Sequence, residues 1–93
     1  MPCRDVEITN RLGMHLRPAM RFAAIAQKFR CTVAVRKDQD EEWIDGKSVM
    51  QMAGIAALPG TVLRLQAEGE DAEACLEALA ECVRVEFHKL DEA

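Results

Sequence analysis

The 93-residue sequence is poor in aromatic surface: it has no tyrosine, one tryptophan (Trp43) and three phenylalanines. Recognition of single-stranded nucleic acid by base stacking draws on several exposed rings, which argues against that function. No apolar run approaches the roughly 18 residues that a membrane span needs, so no membrane insertion is expected. The opening stretch, Met1 to Val6, is too polar for a signal peptide, which points to a cytoplasmic protein. Cys3, Cys31, Cys75 and Cys82 form no C-x-x-C pair, and His15 lies far from His88, so no metal site is expected. Cys75 and Cys82 share one face of a helical pattern with Leu76, Leu79 and Val83 and read as buried free thiols, in keeping with a reducing compartment. There is no G-x-S-x-G or P-loop pattern, and no acidic residue flanks His15 to make a triad.

What is present fits one small globular domain spanning 1–93: 49% of residues are apolar and 30% charged. A chain this short buries only roughly 60–65% of its unfolded surface, too little for a large lidded cavity. The net charge of -4 hides an asymmetry. Residues 1–37 carry eight basic and two acidic side chains, a balance of +6, and residues 38–93 carry four and fourteen, a balance of -10. Two readings stay open: solvated faces that happen to segregate, or a basic end that meets a phosphate or an acidic protein. The acidic remainder disfavours a long polyanion, so nucleic acid is not an expected partner.

The pattern resolves into seven elements. Cys3 to Thr9 alternates, with Val6 and Ile8 on one side, as a half-buried strand does. Asn10 to Met14 is a loop. Leu16 to Arg30 is a helix with the apolar stripe Ala19, Phe22, Ala23, Ala26 and Phe29; Pro18 is tolerated in its first turn. Strands follow at Thr32–Lys37 and Glu41–Asp45. A second helix begins at Ser48, where Ser48 and Gln51 match a capping box and Met52, Ile55 and Ala56 can face the core. Leu58 to Thr61 has Pro then Gly in the order of a type II turn. A fourth strand, Thr61–Glu68, leads to a last helix over Ala72–Phe87, with Asp71 as its N-cap. The order β-α-β-β-α-β-α predicts an α+β two-layer sandwich: a four-stranded antiparallel sheet covered on one face by three helices.

His15 falls just after a glycine loop and just before a helix. A helix start favours negative charge through its unpaired amides and its dipole. Arg17 adds a planar, permanently charged fork two residues on. Neutral imidazole is a nucleophile near pH 7, since its ordinary pKa is ~6.5. Such a group can carry a phosphoryl group briefly, although a lone histidine before a helix is more often only a cap or a surface residue.

Gly13 to Ala19, G-M-H-L-R-P-A, resembles the phosphorylation motif of the HPr family, phosphocarriers of the bacterial phosphoenolpyruvate-dependent phosphotransferase system, whose pattern is close to G-L/I-H-A-R-P-A. Asp45 to Met52, D-G-K-S-V-M-Q-M, resembles that family's regulatory-serine helix, and L-P-G-T and A-E-G-E-D-A-E-A-C follow at matching spacing, so the resemblance covers about residues 3–87. It implies an open-faced β-sandwich with sheet order 1-4-2-3. It implies that His15 accepts phosphate on Nδ1 from a phosphohistidine of Enzyme I and donates it to IIA-type proteins for sugar uptake or regulation. The chain would then be a relay rather than an enzyme, a monomer with no cofactor, its phosphate coming from phosphoenolpyruvate through Enzyme I. Arg17 would steady the phosphate. Ser48 would be the site of HPr kinase/phosphorylase where that enzyme exists. Leu16, Arg17, Met20, Arg21, Val49, Met50 and Ala53 would form the partner face.

The sequence departs from the family pattern at Leu16, where a small residue is usual, and at Met14, a milder change; residues 38–42 are more acidic than expected. An alternative is a regulatory docking module of the same fold, controlled by phosphate on Ser48. A metal or ligand sensor lacks any ligand cluster.

Overall fold

The computed structural model describes residues 1–92. Its elements are β1 (Cys3–Glu7), α1 (Leu16–Gln27), β2 (Thr32–Lys37), β3 (Ile44–Asp45), α2 (Val49–Ala53), β4 (Val62–Glu68), α3 (Ala72–Glu81), a π-helical turn (Cys82–Glu86) and α4 (Phe87–Glu92). The sheet has the order β1-β4-β2-β3, antiparallel throughout. α3, the π turn and α4 run on as one helical rod, which with α1 and α2 makes the three expected helices.

The core lies between sheet and helices. Val33 and Val35 of β2 and Leu63, Leu65 and Ala67 of β4 point inward at the strand period of two. Phe22 and Ala26 of α1, Met52 of α2, and Cys75, Leu76, Leu79, Val83 and Phe87 of the last rod cover them, all essentially fully buried. Burying a side chain such as Leu65 contributes roughly 1.5–3 kcal/mol. The opposite sheet face is open and carries a charged chain in which Arg64 pairs with Asp5 (2.9 Å) and Asp38 (3.4 Å).

Cys31, Cys75 and Cys82 are buried free thiols and Cys3 is an exposed one. Burial pushes the Cys75 and Cys82 thiols up to about 12, so both stay protonated and inert.

Several boundaries differ from those read in the sequence, each for a local reason. β3 is two residues long, not five. The next rung would bring Trp43 to Arg36, but the Arg36 guanidinium donates to the carbonyls of Asp38 (3.1 Å) and Asp40 (2.6 Å) and lies over the Trp43 ring, 5.1 Å from its centroid. Asp38 N still reaches Val62 O (2.8 Å), but beyond it the chain bends round the Arg36 cation instead of extending β3. α1 ends at Gln27 rather than Arg30, because the Asp71 carboxylate takes the amides of Arg30 (2.8 Å) and Cys31 (2.9 Å). Those backbone donors outweigh the burial of Asp71 and hold its carboxyl below the ordinary range. Asp71 stands at the N-cap position of α3 but makes no side-chain cap bond there. Ala56 is exposed with φ 55°, and Ala57 takes the buried place expected of it; Ile55 is half-buried against the core. The last helix continues past Phe87 to Glu92.

Candidate functional site

The site is built on the loop between β1 and α1. Past β1, the chain stays fastened to the segment before β4: Ile8 N donates to Thr61 O (2.8 Å) and Gly60 N to Ile8 O (2.7 Å). The loop then closes on itself, with Gly13 N donating to Asn10 O and the buried Asn10 amide donating to Gly13 O (2.9 Å). Met14 N donates to Ala57 O (2.8 Å). Gly13 has φ +69°, and a Cβ there would lie 2.6 Å from that same Ala57 oxygen. Gly13→Ala should therefore cost roughly 1–3 kcal/mol from backbone conformation alone. A thermal melt checks this; a parental melting temperature would show that the loop shifts freely.

This loop delivers His15 to the N-cap of α1 in extended backbone (φ -139°), with its carbonyl accepting the Ala19 amide (3.0 Å) and its side chain making no cap bond. The imidazole is thus free to face outward, and its side chain is 32% exposed. The first turn of α1 holds no acidic residue, so nothing within it competes for the positive helix end. Arg17, exposed, is the second residue of α1, two positions from His15.

The sequence reading missed one residue. Asp91 of α4 puts Oδ1 3.2 Å from His15 Nε2. Its side chain is only 6% exposed, and its carboxylate accepts from the Asn10 amide (3.0 and 3.2 Å) and from Leu12 N (2.9 Å). Burial alone would raise this carboxyl, but the donors from Leu12, Asn10 and His15 outweigh it and hold it below the ordinary carboxylate range. No acidic residue flanks His15 in sequence, yet the fold brings one from 76 positions away. The sequence offered only a partial signal: Val83 and Phe87 share a stripe and Asp91 follows at the same spacing, which suggests its helix face but not its partner.

Ser48 caps α2, its Oγ accepting from Gln51 N (3.2 Å). The capping box is half formed, because the Gln51 side chain accepts from Asp45 N (2.8 Å) instead of Ser48 N. α2 packs against α1, tied by Gln27 to Lys47 O (2.8 Å) and by Lys47 Nζ to Phe29 O (2.7 Å). Of the residues expected on a partner face, Leu16, Met20 and Met50 are exposed, Met50 at 86%. Val49 is half-buried, and Ala53 packs against the core. Arg21 is exposed but paired with Glu86 (2.6 Å).

The charge asymmetry of the sequence is partly internal. Arg4 pairs with Glu77 and Arg21 with Glu86, each joining the basic first part of the chain to the acidic last helical rod. Among the described residues, no group of three or more His, Cys, Asp and Glu could hold a metal ion, and no helix is long and apolar enough to cross a membrane.

A part-exposed imidazole at a helix N-terminus, with one ring nitrogen in contact with a carboxylate, has the chemistry of a nucleophile set where negative charge is favoured. Comparison with known proteins gives the family. The PTS-HPr family, described as "PTS HPr component phosphorylation site", matches residues 3–84. The chain is 39% identical over 87 residues to the phosphocarrier protein HPr of Pseudomonas aeruginosa, covering 94% of this chain and 96% of the relative. It is 36% identical over 76 residues to the phosphocarrier protein NPr of Escherichia coli, covering 82% and 83%. The crystal structure of HPr-C-His from Thermoanaerobacter tengcongensis superposes with a TM-score of 0.84 at 34% identity, covering 94% of this chain and 96% of that one. The chain belongs to the HPr family and is a phosphocarrier of the phosphotransferase system, not an enzyme.

Proposed function

We propose that the chain, acting as one HPr-like unit over residues 1–93, takes a phosphoryl group from the phosphohistidine of Enzyme I onto His15 and hands it to IIA-type proteins that serve sugar uptake or regulation. The observation that carries this reading is the placement of His15: part-exposed at the N-cap of α1, two positions from Arg17, on a helix whose first turn holds no acidic residue of its own, with Leu16 and Met20 of α1 and Met50 of α2 exposed. Exposed methionines adapt to more than one partner surface, which suits a carrier that meets both a donor and several acceptors. The carrier works in the cytoplasm as a monomer and needs no cofactor of its own, neither binding nucleic acid nor inserting into membrane. Ser48 is the regulatory site in this reading, open to HPr kinase/phosphorylase where that enzyme exists. Against the alternative, a pure docking module, stands the seating of His15, which docking alone does not require.

The test is to incubate the chain with phosphoenolpyruvate and Enzyme I and map the label. One acid-labile phosphate per chain on His15 is expected; acid-stable label, or none, would reject the relay. Arg17 acts in this scheme on the phosphorylated state. Charge-assisted hydrogen bonds are worth roughly 1.5–3 kcal/mol, and 1.4 kcal/mol is about tenfold in rate. Arg17→Ala should slow transfer by about one to two orders of magnitude with the fold unchanged. Stopped-flow or quench kinetics at the parental rate would remove Arg17 from the mechanism.

A further inference from the structure

The Asp91 carboxylate joins the loop that carries His15 to the end of the last helical rod, and this join has chemical consequences. The carboxylate is not a loose surface charge. The Asn10 amide and the Leu12 N–H hold it from one side, and its burial leaves little room to turn away. α4 itself is anchored by the fully buried Phe87 and by the contact between His88 Nε2 and Thr9 Oγ1 (2.9 Å). His15 Nε2 meets this fixed acceptor at 3.2 Å.

We propose that Asp91 is a positioning residue for phosphoryl transfer, clamping His15 through Nε2 so that the ring presents its Nδ1 lone pair outward. The inference rests on the reading of His15 as the acceptor and adds the group that aims it. An ionised carboxylate oxygen in contact with an imidazole nitrogen can only accept, so in the neutral ring the proton resides on Nε2 and the lone pair on Nδ1. During transfer the Nδ1 pair forms the bond to phosphorus. The bond from phosphorus to the donor's histidine nitrogen breaks, and its electron pair returns to that donor ring. No proton leaves His15: the Nε2–H stays in place, and the ring acquires positive charge as the N–P bond forms. Asp91 faces that developing charge at a fixed distance, which stabilises the transferring state more than the resting one. On donation to an acceptor the pair returns to Nδ1, and the ring is again neutral with its proton on Nε2.

Two variants and two readouts test this. In wild-type protein labelled with ¹⁵N, the His15 Nε2–H proton should be observable by NMR, protected by its hydrogen bond. In Asp91→Ala that signal should be lost, and transfer from the phosphohistidine donor should slow about tenfold in kcat with KM unchanged, the scale of one charge-assisted hydrogen bond. Asp91→Asn, which keeps a neutral acceptor, should fall between the two in kcat. A merely structural Asp91 would move stability but neither the ring proton nor kcat selectively. The proposal is overturned if Asp91→Ala keeps the Nε2–H signal, if its kcat is parental, or if the loss lies wholly in KM. Should Asp91→Ala fail to fold, a parental kcat in Asp91→Asn overturns it equally. A wild-type chain that takes up no phosphate defeats the relay reading instead, and the ring signal, which needs no phosphate, still decides the clamp.

Discussion

His15→Ala should take up no phosphate from Enzyme I, a loss of more than about 1000-fold, while folding as the parent does. The loss is complete because no second nucleophile stands at the helix end among the described residues. Cys31, Cys75 and Cys82 are buried, and Ser48 is engaged as the cap of α2. His88 is the one other imidazole; it is exposed on α4 and meets Thr9, away from the N-terminus of α1. His88→Ala therefore serves as the control and should label to the same final stoichiometry. Stability should barely change, because the His15 side chain makes no cap bond and its contact with Asp91 is partly solvated. Pairs of that kind contribute about 0–1 kcal/mol. Acid-labile label in His15→Ala at the parental stoichiometry would move the acceptor elsewhere, and label lost from a variant that no longer melts cooperatively would say nothing of chemistry, so both measurements belong together.

The sequence made the strands and helices visible wherever burial alternates cleanly. β2 and β4 read correctly because Val33, Val35, Leu63, Leu65 and Ala67 face the core in strict alternation. The boundaries failed where one side chain bonds to distant backbone, which periodicity cannot register. Arg36 gathers the carbonyls of residues 38 and 40 and dissolves most of the expected third strand. Asp71 was expected to cap its own helix and instead ends α1, 40 or more residues earlier in the chain. His15, Arg17 and Ser48 stand out in the sequence because each belongs to a local motif at a helix start, and the structure places them there, His15 and Ser48 as N-caps and Arg17 in the first turn of α1. For Asp91 the spacing from Val83 and Phe87 offers only a face of the last helix; its contact with His15, 76 positions away, exists only once the last rod folds back across the loop. Of the residues expected on a partner face, Met50 is exposed, while Ala53, three positions on in α2, packs on the core.

Ser48→Asp should melt close to the parent and yet accept phosphate on His15 about 10- to 100-fold more slowly. Both halves follow from the position of Ser48. Its Oγ accepts the Gln51 amide at the start of α2, a role that an aspartate carboxylate fills as well. Negative charge at a helix start meets unpaired amides and the positive end of the dipole, so neither aspartate nor phosphate should unwind α2. The same charge lies beside Val49 and Met50, and Met50 is 86% exposed. A partner that buries an apolar side chain there would have to desolvate a charge with it. The nearest cation in sequence, Lys47, is already committed to the Phe29 carbonyl at 2.7 Å and gives no ready compensation. The penalty should therefore appear in docking, as a raised KM for the chain, and not in the melt. Ser48→Ala should do the reverse: it loses the cap, costs about 1 kcal/mol, and leaves transfer at the parental rate. For a domain of this size that is a drop of roughly 4–8 °C in melting temperature. Thermal melts and Enzyme I-driven labelling of the two variants separate the roles, and a Ser48→Asp chain that labels at the parental rate would leave Ser48 as a cap and nothing more.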